Sequence, residues 1–387
     1  MGARAPYLTA RLQGYTTTIF AEMSALATAT GSVNLGQGFP DTDGPAAMLE
    51  AAVEAMHRGE NQYAPGPGVP ALREAVAAHQ LGHYGLVVDP ADGVLVTSGA
   101  TEAIAACLLA LCDVGDEVVT FEPTYDSYAA CTSLAGARLR VVTLHAPDWS
   151  FDPDELEAAI TARTRLVLLN TPHNPTGKVF DEAELDVVAR ACVEHDLLAV
   201  TDEVYEHLVF DGVHRPLAGR PGMADRTITV SSAGKTFSLT GWKVGWACGP
   251  AALVAAVRAA KQFLTFATAT PLQHAVAFGL TNCREEVARA ADELAVRRDL
   301  LCDGLEAAGL RTFRPAATYF ATTDIASVGA DDAKAFCLEL PRRCGVVAVP
   351  SSVFYEHPEI GRTFVRWAFC KRPEVLTMAV ERLKGLG

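Results

Sequence analysis

The chain has 387 residues, half of them hydrophobic and a fifth charged, with a formal net charge of −14. That length exceeds the size at which a single core stops growing, so two domains are expected. The acidic balance argues against nucleic acid and anionic membrane surfaces as partners, and no run approaches the ~20 apolar residues of a membrane span.

Residues 1 to 45 read as irregular, with Arg4 and Arg11 but no apolar core that could serve as a signal peptide. A short apolar helix is predicted at Phe20–Ala27, followed by the Gly/Pro-rich run Leu35–Asp41. Helices are predicted over Pro45–His57 and Val69–Tyr84, with the turn-rich segment Asn61–Pro70 between them. From Val94 onward, apolar runs of strand length recur at 94–97, 117–121, 140–144, 166–169, 198–201, 227–230 and 244–248. Helical patterns at 101–112, 125–135, 153–159 and 182–195 separate most of them. Such alternation predicts an α/β domain with a mostly parallel, buried sheet. The last two runs have no helix between them, which makes one of those strands a candidate for antiparallel pairing.

Helices follow at Ala251–Phe263 and from Pro271 to about Leu305. The second half of the latter is charged and reads as a solvated helix between domains. Beyond it, a strand near 319–323, a helix at 332–340, strands at 346–349 and 363–369 and a helix at 373–386 form the pattern of a small α+β domain. The expected division is a large domain over 46–281 and a small domain built from 1–45 and 282–387. Ten scattered cysteines without a Cys-x-x-Cys pair predict reduced, mostly buried thiols in a cytoplasmic protein.

In open α/β sheets, ligands gather outside the carboxyl ends of the strands. Four such ends carry candidate chemistry. Ser231–Phe237 sets Lys235 in a bend of small residues, with Ser232 beside it and Lys243 eight residues on. A lysine that is partly desolvated can lose its proton and form an imine. Lys243 and Ser232 suit a phosphate. An imine-forming lysine beside a phosphate site is what pyridoxal 5'-phosphate requires. A lone lysine after a strand is ordinarily a surface residue, so its company decides.

At Thr97–Glu102, the amides of Ala100 and Thr101 and the Thr101 hydroxyl could hold an anion at a helix N-terminus. Taken alone, a plain N-cap by Ser98 or Thr101 is the better reading. In Asn170–Gly177, two X-Pro bonds and a glycine make a rigid turn that fixes Asn174. His173 in that turn is given no role; a solvated loop position is its default. Asp202 is either an N-cap or a carboxylate that holds a proton on a pyridine nitrogen. Tyr205 lies three residues on, on the same side of a turn. No metal site is expected.

The order Gly-Ala-Thr, Asn-Pro-x-Gly, Asp-x-x-Tyr and Ser-x-x-Lys, each after a strand, resembles the fold-type I, class I/II aminotransferases dependent on pyridoxal phosphate. The runs Val33–Asp41, Asn61–Tyr63, Asn170–Pro175, Asp202–His207 and Thr240–Lys243 are similar to one branch. That branch holds the kynurenine/glutamine, methionine-preferring and actinobacterial-type N-succinyldiaminopimelate enzymes. The resemblance implies that Lys235 forms the imine with the cofactor and moves the proton. It implies that Asp202 pairs with the pyridine nitrogen, and that Asn174 and Tyr205 donate to the ring's phenolic oxygen. Tyr125 would stack on the ring. Ala100, Thr101, Ser232 and Lys243 would cup the phosphate. Tyr63 would reach the phosphate of a neighbouring subunit, which implies a homodimer with shared active sites. Gly38, Asn174 and Arg366 would hold the substrate α-carboxylate.

Arg366 lies in an apolar strand, where a guanidinium needs an anion; a structural ion pair is its alternative. Ile19 stands where kynurenine-type relatives often place a tryptophan. Ala316–Phe320 lacks the usual glycine, and Trp367 replaces a smaller residue. These departures bear on the side-chain pocket. The implied activity is ping-pong transfer of an amino group from glutamine, methionine, an aromatic amino acid or kynurenine to a 2-oxo acid. Alternatives on the same fold are N-succinyldiaminopimelate aminotransferase and cysteine-conjugate β-lyase. A non-catalytic regulator of this fold is the remote one, set aside for the acidic charge and for a match that starts within the first dozen or so residues.

Overall fold

The computed structural model describes residues 7–15 and 18–386; residues 1–6, 16–17 and 387, Arg4 among them, lie outside the described residues. Helix α1 (Ile19–Thr30) is longer at both ends than the apolar run alone suggests. Thr18 caps its first turn by accepting from the Ala21 amide, and Gly31 closes it in the left-handed region at φ 62°. Strand β1 (Val33–Asn34) then leads to α2 (Ala46–His57) and α3 (Pro70–Tyr84). Pro70 sits in the first turn of α3, where its missing N–H costs nothing.

The alternating section follows as β2 (Val94–Thr97), α4 (Ala100–Leu111), β3 (Glu117–Glu122), α5 (Ser127–Ala135), β4 (Arg138–Thr143), α6 (Pro153–Ala159), β5 (Thr164–Asn170), α7 (Glu182–Glu194) and β6 (Leu198–Asp202). Next come β7 (Thr227–Ser232), the single-turn α8 (Ala233–Thr236) and β8 (Gly245–Cys248). Asp181 and Glu184 form a reciprocal capping box at the start of α7. The seven strands make one sheet in the order β2-β8-β7-β6-β5-β3-β4. β3 to β7 are parallel, and β8 runs antiparallel to both β2 and β7. The antiparallel strand expected from the missing helix is therefore β8. Helices cover both faces, so strand residues such as Leu166, Val167, Leu168 and Leu169 are fully buried. Each such side chain contributes about 1.5–3 kcal/mol by leaving water.

Helices α9 (Ala251–Lys261), α10 (Thr270–Asn282) and α11 (Arg284–Ala307) follow. The single helix expected from Pro271 to Leu305 is broken at Cys283, which closes α10 and opens α11. Tertiary packing sets the break: α10 lies on α2 and α3, whereas α11 lies on the C-terminal helix. The charged stretch of α11 is largely exposed, but Leu294, Leu301, Cys302 and Leu305 are buried, so its inner face belongs to a core.

The remaining elements are β9 (Arg311–Phe313), β10 (Phe320–Asp324), α12 (Ala333–Cys344), β11 (Val346–Val347), β12 (Val349–Pro350), β13 (Phe364–Ala368) and α13 (Pro373–Leu383). β9 escapes the sequence pattern because it is three residues long with one buried side chain. The strand expected at 346–349 is two short ones. β11 pairs with β1, and β12 joins the antiparallel sheet β12-β13-β10-β9. All ten cysteines are free thiols, and all but Cys344 are buried. Among the described residues, no helix is long and apolar enough to cross a membrane.

Candidate active site

The carboxyl ends of β2, β5, β6 and β7 converge because of the register. Asn170 pairs with Asp202, while Thr97 and Ser232 both pair with Gly245 at the start of β8. A cavity of about 290 Å³ opens there. Its wall includes Lys235, Asp202, Tyr205, Asn174, Tyr125, Arg366, Gly38, Ala100, Thr101, Ser232 and Lys243. Of the site residues expected from sequence, only Tyr63 lies off this wall. It is 84 % exposed and stacks edge-on against Phe266, with ring centroids 5.3 Å apart.

Lys235 is carried by α8, whose single turn follows β7 directly. Its Nζ donates to the Tyr319 hydroxyl at 2.7 Å, and that hydroxyl donates to the Gly38 carbonyl at 2.6 Å. Burial disfavours its charged form and, against the pull of nearby anions such as Asp202, brings the amine down to about 8. About a tenth of it is then the free base at pH 7. Asp202, at the end of β6, accepts from the Tyr128 hydroxyl at 2.6 Å. Burial raises its carboxyl to about 6, and the Tyr128 bond works in the opposite direction. It caps no helix, since a turn rather than a helix follows it.

The Asn170–Gly177 turn is tied to the sheet by Asn170. Its Nδ2 donates to the Asp202 carbonyl at 2.8 Å, and its Oδ1 accepts from the Asn174 amide at 2.7 Å. Asn174 Oδ1 in turn accepts from Arg366 Nη1 at 3.3 Å. Arg366 Nη2 donates to the Gly36 carbonyl at 3.0 Å, and its Nε is buried without a partner. The guanidinium sits over the rings of Phe320, Phe354 and Phe20, at 4.0, 5.0 and 4.9 Å. Burial lowers its pKa to about 10, so it remains a cation at neutral pH. Its protein acceptors are an amide and a carbonyl oxygen. The structural ion pair considered from sequence is therefore not formed among the described residues, and a donor edge is left for an anion.

At the head of α4 no side chain caps the helix, and Gly99 occupies the cap position at φ 80°. The expected Ser98 or Thr101 cap does not form; the Ser98 amide donates to Glu102 Oε2, at 2.5 Å. A Cβ added at Gly99 would lie 3.2 Å from Lys243 Nζ, so only glycine leaves that space open. Free helix amides, the Thr101 hydroxyl and the Lys243 ammonium thus line one end of the cavity, where an anion is favoured. Ser232 is partly engaged: its Oγ accepts from the Gly234 amide at 3.1 Å and caps α8. Tyr125 meets Tyr128 edge-on at 5.7 Å, and burial raises its hydroxyl to about 12. Tyr205 packs edge-on against Tyr319 at 5.2 Å.

His173 departs from its default: it is 1 % exposed, and its Nδ1 lies 2.8 Å from Thr176 Oγ1 inside the turn. Phe20, not Ile19, lines the cavity. Sequence reasoning missed Tyr128, Tyr319 and Asn170. Tyr128 and Tyr319 are buried aromatic residues whose hydroxyls meet the polar ends of Asp202 and Lys235, contacts between distant segments that no local pattern reveals.

The residues present suit pyridoxal 5'-phosphate: a half-buried amine, a buried carboxylate, an uncapped helix head beside a lysine, and an arginine edge for a carboxylate. Residues 30–383 match the family model described as aminotransferase class I and II. The chain is 50 % identical to the probable N-succinyldiaminopimelate aminotransferase DapC of Mycobacterium tuberculosis, over 97 % of this chain and 98 % of that one. It is 40 % identical to the methionine aminotransferase of Escherichia coli, over 96 % of each. The solved N-succinyldiaminopimelate aminotransferase of M. tuberculosis superposes with a TM-score of 0.96 at 50 % identity, covering 98 % of this chain and 100 % of that one. The chain belongs to the class I and II aminotransferases, a family that works with pyridoxal 5'-phosphate, and it is a transaminase.

Proposed function

We propose that the protein binds pyridoxal 5'-phosphate in the cavity at the carboxyl ends of the strands and uses Lys235 as its proton-transferring residue. The observation that carries this reading is the half-buried Lys235 amine, brought to about 8, on the same wall as the Asp202 carboxylate. When bound, the cofactor supplies an electron sink for the electron pair left at the substrate Cα. Asp202 holds a proton on the ring nitrogen. Tyr205 and Asn174 donate to the ring's phenolic oxygen, and Tyr125 packs against the ring face. The amides of Ala100 and Thr101, together with Ser232 and Lys243, hold the phosphate. Arg366, with Asn174 and the Gly38 backbone, orients the α-carboxylate. Lys235 takes the Cα proton as general base and delivers it as general acid. Lys235, Asp202 and Tyr205 are the catalytic set.

Two substrate readings follow. The cavity wall includes the apolar side chains of Phe20 and Phe320, which lie against Arg366, and also Phe39, Ile104 and Gln37. This favours amino donors of glutamine, methionine, aromatic or kynurenine type. The 50 % identity to an N-succinyldiaminopimelate enzyme supports that substrate as the second reading. Adding each donor separately to the purified holoenzyme and following its visible absorbance separates the two. Conversion by N-succinyldiaminopimelate alone selects the second reading; conversion by methionine, glutamine or kynurenine selects the first.

The working unit in this reading is a homodimer in which Tyr63 reaches the neighbour's phosphate, in keeping with its exposure and its place off its own cavity. Residues 46–281 act as a large domain, and 1–45 with 282–387 as a small one that closes on the substrate. Support comes from the separate sheets at 94–248 and 311–368. Free thiols suit a cytoplasmic location.

A further inference from the structure

A second cavity, of about 160 Å³, is lined by His79, His83, His207, Thr236, Phe237 and Cys283 among others. One ring nitrogen from each of the three histidines lies within 4.8 Å of the other two. His79 and His83 are four residues apart on α3, so their side chains leave one face of that helix. His207 comes from the turn after β6.

The protein alone serves these rings poorly. The Nε2 atoms of His79 and His207 face each other at 2.8 Å, and only one of them can be the donor. His79 is 3 % exposed, and its Nδ1 has no hydrogen-bond partner. In one tautomer a buried N–H lacks an acceptor; in the other a buried lone pair lacks a donor. The ring is thus left short of partners within the chain. Imidazole nitrogens that converge from three rings call for a cation.

We propose that His79, His83 and His207 bind one divalent transition-metal ion of the zinc type, at a site separate from the Lys235 cavity. Imidazole donors suit zinc, copper, nickel or cobalt rather than magnesium or calcium. A histidine pair at i and i+4 closed by a third ligand from another element is a recurrent zinc arrangement. The surroundings fit. His83 Nδ1 lies 3.2 Å from the His79 carbonyl; as donor to it, the ring keeps its Nε2 lone pair for a metal. The Glu206 carboxylate stands 3.9 Å from His79 Nε2, where it offsets positive charge. Tyr84, at 2.7 Å, and Ser231 hold that carboxylate in place. His83 is exposed, which gives the ion a way in.

Such an ion ties α3 to the turn after β6, next to the Thr236–Phe237 segment that follows Lys235. It therefore stabilises the fold without entering the chemistry.

The test uses holoenzyme freed of metal by a chelator, dialysed, and titrated with Zn²⁺ alone and with Co²⁺ alone. The expected result is one Zn²⁺ per chain retained through desalting, a raised Tm, and visible ligand-field bands with Co²⁺. His83→Ala, at an exposed position that leaves the core intact, should lower Zn²⁺ affinity at least about tenfold, and His207→Gln should do the same. Transamination without metal confirms that His83→Ala is folded. His195→Ala, an exposed histidine elsewhere, should bind like the unaltered enzyme. No retained metal overturns the proposal. So does equal binding by the unaltered enzyme and His83→Ala, because the ion would then sit elsewhere.

Discussion

The Tyr128 hydroxyl donates to Asp202 Oδ2 across 2.6 Å, with both groups buried. The bond opposes what burial does to Asp202, whose carboxyl already stands near 6. Removing a donor to the charged form raises a carboxyl pKa further. Tyr128→Phe should therefore move the acid limb of the pH–rate profile to higher pH and lower kcat near neutrality by about tenfold. An acid limb that stays in place would separate Tyr128 from the function of Asp202.

Lys235 carries a stability signature of its own in the cofactor-free protein. Its folded pKa of about 8 lies below the ordinary 10.5. Between those values the unfolded chain holds a proton that the folded chain has shed, so this residue makes stability rise with pH across that window. Lys235→Met removes the contribution. In urea unfolding, the gap between variant and unaltered protein should narrow by about 2 kcal/mol from about pH 7.5 to about pH 9.5. A gap independent of pH would mean the amine is not desolvated. The same variant should lose transamination by at least about 100-fold.

Arg366 has a buried Nε without a partner and no carboxylate on its other donors. Arg366→Lys keeps the charge but loses the paired-donor geometry. It should lower kcat/KM by about 10- to 100-fold, mainly through KM, and by similar factors for every amino donor. Steady-state kinetics with two chemically different donors checks this. An effect confined to one donor would move Arg366 to the side-chain pocket.

Tyr63 makes a prediction that depends on assembly. Tyr63→Phe should weaken cofactor retention by about 5- to 10-fold, although the residue lies off the cavity of its own chain. Equilibrium dialysis of the variant measures it. Unchanged retention, or a monomer in sedimentation, would remove the shared-site reading.

Much of this fold was legible because parallel strands buried on both faces read as unbroken apolar runs. The runs at 166–169 and 227–230 fall within β5 and β7 for that reason. Strand ends then pointed to Lys235, Asp202 and Asn174, since the topology brings those ends together. Features set by distant segments were not legible. The break at Cys283 follows from the different helices on which α10 and α11 pack. The burial of His173 follows from the turn folding back onto the sheet. Phe20 rather than Ile19 faces the cavity because of how α1 is rotated, and no spacing in that stretch encodes it. The facing of His79 and His207, 128 residues apart, is likewise a product of the fold alone.

In the proposed holoenzyme Lys235 carries the cofactor. Purified holoenzyme should be reduced with borohydride, digested, and its peptides mapped by mass spectrometry. The expected result is a phosphopyridoxyl group on the peptide containing Lys235 and on no other lysine, with the adduct lost when an amino donor is added before reduction. A stable adduct on Lys243 or another lysine, or no adduct after pyridoxal phosphate is supplied, would contradict it.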